Sequence, residues 1–413
     1  MIQEKKIIIE GSFWDSYIYS NNLLLFGQDQ TIKSYSWDRF VNSRISNEID
    51  TLAYRCAFYQ SDFLYGIRER ELFSDLEIKE IILNKFNRIQ SIYVSEQELM
   101  PYKTYNSPIE LPHLTIDIGV FKNKLYYCDS DGLFFRNIRN SNKSATVSTR
   151  VNKCWDAYIQ CLKVSNYGRI ALSASSDGLF ELNTNDYDYG MYRKFKIVDE
   201  DIFQLTQEHS SYCCWAFSSL LNGSYLGGAR LFGFKYIGNT DSIYYEHETG
   251  INFIDEYTTS DLFGNDNPNA LVISENEKIY QLSQGTIKGI EYRQRNLGGK
   301  DEIFTPILSR DQHFDEDIID AAVAEFGIVV ETKKHLYVLL STGEEIYTVN
   351  KEQEDIIRWR IFPRSTCYVN QLHVIYNNRI EIISFNDDYF VDQKNKQIGH
   401  RFHLRKFFKP VAQ

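Results

Sequence analysis

His247, set between Glu246 and Glu248, and His313, heading His313-Phe314-Asp315-Glu316-Asp317, are places where this sequence gathers groups able to ligate a divalent metal. Neither offers two ligands at an established metal-site spacing, so both read as solvated loops and no metal is expected. His373 falls inside an apolar run and reads as a hydrogen-bonded strand histidine. Carboxylates are paired at Asp129/Asp131 and Asp387/Asp388, in turn-like contexts where Asp serves the backbone. Asp15, Asp117 and Asp156 would suit glycan hydrolysis or lysis, one as acid and another as base or nucleophile, if the fold made them converge. No nucleophile elbow, zincin helix, P-loop or dinucleotide fingerprint occurs, and Leu297-Gly298-Gly299-Lys300 lacks the spacing that cradles phosphate. An enzyme is not expected, and neither is a cofactor.

The other chemically distinctive segment is the C-terminal tail, taken as residues 391–413. After Asp392 it has no acidic residue. Lys394, Lys396, Arg401, Arg405, Lys406 and Lys409 accumulate there, interleaved with Phe402, Leu404, Phe407 and Phe408. Cations alternating with aromatic rings suit an acidic protein partner or a nucleic acid; the simpler reading is a covering strand or helix with solvated lysines. Arg293 and Arg295 form a smaller basic loop with the same potential.

The formal charge of −11 is spread along the chain, which disfavours non-specific attraction to phosphates or anionic lipids. No apolar run is long enough to span a membrane, and Ile7-Ile8-Ile9 is too short for a signal-peptide core, so a cytoplasmic location without membrane contact is expected. Seven cysteines without a C-x-x-C pair read as buried free thiols.

What must position these groups is a recurring hairpin. Leu125 to Phe135, turning at Asp131-Gly132, reappears as Ile170 to Phe180 with Asp177-Gly178, about 46 residues later. Further hairpins are legible at 23–35, 63–73, 225–234, 271–282, 328–339 and 372–383. A leading strand is expected before several of them, at 114–120, 157–162, 215–217 and 319–323. An outer strand is expected after others, at 193–198 and 289–292. Four antiparallel strands repeated at such intervals form the blades of a β-propeller. Lys5 to Glu10 would then complete the blade containing Ile380 to Phe385. Asp75 opens a capping-box pattern that predicts a helix over 75–89.

Trp14-Asp15 is echoed by Trp155-Asp156, and Trp37-Asp38 comes after a hairpin, where a Trp-Asp dipeptide ends a WD repeat. On these residues the chain resembles the broad WD40-like β-propeller superfamily over most of its length. It lacks that superfamily's regular Gly-His and Trp-Asp pairs. The expectation is an all-β protein, with a single propeller of seven or eight four-stranded blades over 1–390, closed by the N-terminal strand. The function expected is that of a non-catalytic scaffold binding proteins, by analogy a subunit of a bacterial regulatory or defence complex. A glycan hydrolase or lyase and a nucleic-acid-associated subunit are the alternatives.

Overall fold

A computed structural model describes residues 5–45, 51–59, 75–104, 109–112, 115–141, 144–165, 169–183, 202–206, 210–216, 220–225, 228–237, 250–265, 267, 269–294, 302–365, 367–385 and 396–400. The chain begins with β1 (Lys6–Glu10), β2 (Phe13–Tyr19), β3 (Asn22–Gly27) and β4 (Thr31–Ser36), and continues after a helical stretch with β5 (Ile92–Val94) and β6 (Ile109–Glu110). Next come β7 (Asp117–Phe121), β8 (Lys124–Cys128), β9 (Leu133–Ser141), β10 (Ser144–Val147) and β11 (Asn152–Trp155). Two further sets are β12 (Cys161–Val164), β13 (Arg169–Ser173), β14 (Leu179–Asn183), β15 (Ile202–Thr206), and β16 (Tyr212–Ala216), β17 (Leu220–Tyr225), β18 (Gly228–Ile237), β19 (Gly250–Thr258). After them lie β20 (Leu271–Glu275), β21 (Lys278–Leu282), β22 (Thr286–Gln294), β23 (Glu302–Asp311), and β24 (Ile318–Ala324), β25 (Gly327–Thr332), β26 (His335–Leu340), β27 (Ile346–Asn350). The series ends with β28 (Ile356–Ile361), β29 (Gln371–Tyr376) and β30 (Arg379–Ser384).

These strands form successive antiparallel sheets, β2-β3-β4-β6, β7 to β10 with β11 beside β9, β12 to β15, β16 to β19, β20 to β23 and β24 to β27. That up-and-down order is the blade topology of a β-propeller, and the fold is all-β apart from the short helices. Among the described residues six such sheets, not the seven or eight expected, follow one another in chain order. A further sheet is composite, in the order β28-β29-β30-β1-β5. In it β1 runs antiparallel to β30 with Lys6 opposite Ile383 and Glu10 opposite Arg379, and pairs in parallel with β5. By contact, the chain divides into one unit of Met1–His113, Ile138–Thr149 and Ala322–Gln413, and another of Leu114–Asn137 and Arg150–Ala321.

Several local expectations are corrected. The Asp131-Gly132 and Asp177-Gly178 turns are not two-residue type I′ loops, because pairing resumes only between Cys128 and Leu133 and between Ser173 and Leu179. In the first, the Asp129 carboxylate accepts the amides of Asp131 and Gly132 at 2.7 and 3.1 Å, and a Cβ on Gly132 would lie 2.0 Å from the Trp155 carbonyl. Two-residue turns with both φ angles positive occur instead at Ser20-Asn21 and Lys122-Asn123. Residues 271–282 form the first two strands of their sheet rather than the middle pair, so 289–292 belongs to the third strand and β23 is outermost. The leading strand expected at 157–162 starts only at Cys161, and that expected at 215–217 is Tyr212–Ala216. The hairpin at 63–73 and the strand at 193–198 fall outside the described residues, as does the expected domain boundary at 390.

In the first unit, helices interrupt the sheet between β4 and β6. The helix Leu76–Phe86 forms as predicted, with Asp75 accepting the amides of Glu77 and Ile78, but ends before residue 89. Trp37-Asp38 is not a strand-end dipeptide: it opens the helix Trp37–Ile45. The fully buried Trp37 indole donates to the Phe58 carbonyl at 2.6 Å, at the end of the helix Thr51–Phe58. That end is also capped by Asn370 Nδ2 on Ala57 O at 3.0 Å and Gln371 Nε2 on Phe58 O at 3.1 Å, satisfying carbonyls the helix leaves open. One apolar core joins Ile7 and Ile9, Leu23 and Leu25, Trp37, Phe40, Phe58, Phe86 and Ile380. The second unit has its own cores, around Tyr126, Leu162, Leu172 and Leu182, and around Val272, Ile279 and Tyr292. Among the described residues no helix is long and apolar enough to cross a membrane.

Candidate docking site and the leading-strand aspartates

Among the described residues, three leading strands carry an aspartate that accepts the amide of the residue after it. Asp15 on β2 accepts from Ser16 at 2.7 Å, Asp117 on β7 from Ile118 at 2.9 Å, and Asp320 on β24 from Ala321 at 2.8 Å. Asp320 was not singled out by the sequence, where it sits unremarked in an apolar run. In the first unit, Asp15 is fully buried and gripped by Arg360, Nε to Oδ1 at 2.7 Å and Nη2 to Oδ2 at 2.5 Å. Arg358 adds a contact to Oδ2 at 3.3 Å and lies over the Trp14 ring, 5.6 Å from its centroid. Residues two apart on a strand share a face, so β28 aims both guanidiniums one way, while the Trp359 indole donates to Glu331 at 2.8 Å. These arginines carry no signature in the sequence, because the pairing spans most of the chain.

Both Asp15 oxygens are thereby committed to contacts within the protein. In the second unit, Asp117 spends its other oxygen on the Leu162 amide at 3.1 Å, tying β7 to β12. Asp156 does not join such a set. It lies in the loop after β11, 84% exposed, paired with Lys153. The Trp155 ring packs edge-on against Phe180 at 4.3 Å, so the echo of Trp14-Asp15 is one of sequence only.

His373 is fully buried beside Asp15's strand, its Nδ1 2.9 Å from the Ser16 hydroxyl and its Nε2 3.3 Å from Gln371 Oε1. Burial, and then the positive charge of Arg360, push the imidazole down to about 3. Between that value and about 6.5 the unfolded chain binds a proton that the folded chain refuses, so stability rises with pH across this window. The full effect is roughly 4–5 kcal/mol. In urea titrations from pH 3.5 to 7, His373→Gln is expected to flatten that rise; an unchanged slope would assign it to other groups.

Among the described residues no three His, Cys, Asp or Glu side chains gather so as to hold a metal. His313 is exposed, and His247 falls outside the described residues.

The docking residues expected from the sequence divide. Arg293 is exposed and paired with Glu291 at 3.0 Å. Arg295, Lys394, Arg401, Phe402, Arg405, Lys406, Phe407 and Lys409 fall outside the described residues. Lys396 is corrected: its side chain is only 6% exposed, with Nζ on the Glu325 carbonyl at 2.6 Å and 3.5 Å from the buried Glu325 carboxylate. A cation committed to a buried anion is an anchor, not a docking group.

The same segment is clamped along its length. The amides of Gln397 and Ile398 donate to the Ser341 carbonyl at 2.8 and 3.0 Å, and that of His400 to the Ala324 carbonyl at 3.1 Å. His400 Nε2 lies 3.2 Å from the Pro363 carbonyl, and Ile398 is fully buried. Gly399 makes the close approach possible: at φ +85°, a Cβ there would lie 2.9 Å from Gly327 N and 3.0 Å from Ala324 O. The turn between β24 and β25 thus fixes the point from which the chain continues into residues 401–413. Gly399→Ala is expected to weaken this clamp by about 1–3 kcal/mol. Hydrogen exchange at Ile398 and His400 should then quicken while β24 to β27 stay protected; unaltered protection would show that the backbone tolerates the methyl group.

No protein-family model matches the chain, and no curated protein sequence does. Solved structures similar to it include the β-propeller domain of Cps50 (Swd1) from Myceliophteria thermophila, with a TM-score of 0.46 at 8% identity, covering 91% of this chain and 99% of that one. BBS1N, solved in complex with ARL6DN, gives 0.43 at 8% identity over 91% of this chain and 93% of that one. Hsv2 from Kluyveromyces lactis gives 0.39 at 11% identity over 90% and 91%. The fold is shown by the strand order of the sheets themselves.

Proposed function

We propose that this protein is a non-catalytic β-propeller scaffold that binds an acidic protein partner through its basic, aromatic C-terminal tail. The observation that carries this reading is the clamp at 396–400, which roots the tail at one fixed place on the sheet β24 to β27. A rooted tail meets its partner from a defined origin, so less orientational freedom is lost on association. The leading-strand aspartates support the same reading, since Asp15 and Asp117 are consumed in ion pairs and amide contacts rather than offered to a substrate. The diffuse acidic charge favours a protein over a nucleic acid as the tail's partner.

In this reading the β1–β30 pairing latches the composite sheet, and the protein works in the cytoplasm as one subunit of a hetero-complex, with a bacterial regulatory or defence assembly the nearest analogy. The test compares the full chain with one ending at His400 as baits in the native host. Loss of the co-purified proteins on truncation, with the thermal midpoint unchanged, is the expected result. The same partners at the same yield from both baits would refute the tail as the docking element, and salt-sensitive nucleic acid on the full chain alone would reassign the partner.

A further inference from the structure

Cys161 opens β12 and Cys213 is the second residue of β16, leading strands of two successive sheets in the second unit. Their sulfurs lie 4.0 Å apart. Each thiol also reaches the other's carbonyl, Cys161 Sγ to Cys213 O at 4.0 Å and Cys213 Sγ to Cys161 O at 3.8 Å. This reciprocity means that both side chains turn into the same gap between the strands. All seven cysteines are free thiols. A disulfide needs its sulfurs about 2.05 Å apart, so roughly 2 Å of closure, shared by two side chains, would join this pair.

We propose that Cys161 and Cys213 are a peroxide-oxidisable pair that closes to an intramolecular disulfide between β12 and β16. In the first step the Cys161 sulfur attacks hydrogen peroxide. The O–O bond breaks, the sulfur becomes a sulfenic acid, and one water leaves. The Cys213 sulfur then attacks the sulfenic sulfur, forming the S–S bond as a second water departs with the Cys213 proton. Two thiols are oxidised by two electrons and one peroxide is reduced to two waters.

The order of attack is set by the surroundings. Cys161 keeps 8% of its surface exposed and Cys213 none. The Cys213 S–H donated to the Cys161 sulfur holds the Cys161 thiol below its ordinary range, while burial pushes Cys213 well above it. Burial pushes Cys56 and Cys154 up to about 12. The bond would close a loop of about fifty residues and so restrict the unfolded chain.

The experiment treats the folded full chain with hydrogen peroxide, blocks remaining thiols with N-ethylmaleimide, and maps peptides without reduction. A Cys161–Cys213 cross-linked peptide, two hydrogens lighter and reversed by dithiothreitol, is expected, together with a thermal midpoint that rises on oxidation and falls back on reduction. Cys213→Ser should trap a sulfenic acid at Cys161 that dimedone labels; Cys161→Ser should leave Cys213 unlabelled. Full alkylation of both residues in a sample where the half-exposed Cys367 has been oxidised would overturn the proposal. So would a cross-link from Cys161 to any other cysteine. The wild-type peptide map decides the matter even where a variant fails to fold.

Discussion

Asp15→Ala is expected to cost the folded state about 3–5 kcal/mol, because it leaves two guanidiniums without the carboxylate they converge on. Asp15 is fully buried, and Arg360 and Arg358 retain only 12% and 29% side-chain exposure. Neither cation can recover full hydration without unseating β28, whose Trp359 and Ile356 belong to the core it shares with β29. The Ser16 amide loses its acceptor as well. Asp15→Asn should fall between wild type and alanine, since it keeps an acceptor for that amide but not the charge. Exchanging Asp15 and Arg360 together for leucine should recover part of the loss, because removing both charges avoids burying either alone. Urea denaturation of the four proteins measures this series. A loss below about 1 kcal/mol for alanine would mean that water already screens the pair. The series also separates structure from catalysis, since a catalytic acid changed to asparagine would abolish turnover and leave stability largely intact.

Removal of residues 1–10 is expected to be more damaging still. Ile7, Ile8 and Ile9 are at most 4% exposed, and burial of three such side chains contributes about 5–9 kcal/mol, comparable to the whole stability of an ordinary domain. The ladder from Lys6 opposite Ile383 to Glu10 opposite Arg379 goes with them, and so does the Lys6–Glu381 ion pair at 3.1 Å. β5 loses its neighbour, and β30 is left with an open edge that invites pairing between molecules. The shortened chain should therefore elute as aggregate in size-exclusion chromatography. Ile9→Ala, a milder change at the same place, should lower stability by about 2–5 kcal/mol while the protein stays monodisperse. A truncated chain that kept the wild-type elution and thermal midpoint would show that β1 is dispensable.

The hairpins that fall on described residues were legible because strand pairing is local and its apolar alternation is written in consecutive residues. The β1–β30 pairing was legible for another reason: Ile7-Ile8-Ile9 is an apolar run with no hairpin partner nearby. Turn geometry was harder to read. Asp131-Gly132 carries the residue types of a two-residue turn, yet the Asp129 side chain captures two amides and lengthens the loop. Trp37-Asp38 misled because a dipeptide does not encode the structure it introduces, here a helix whose indole is buried against Phe58. The Asp15–Arg360 pair joins residues 345 positions apart, and no local pattern signals it. Lys396 looked like one more tail cation; only the fold shows that Glu325 lies beneath it.

The sheet that unites β1 with β30 also sets a timetable. Lys6 and Glu381 are 375 positions apart, so at ordinary translation speeds of about 5–20 residues per second, roughly 20 to 75 s pass between their syntheses. Throughout that interval an isoleucine-rich strand waits on the ribosome without its mate. Until β30 is made, the edge of β1 that it covers stays open, and that edge is where an unfinished chain would pair with another molecule.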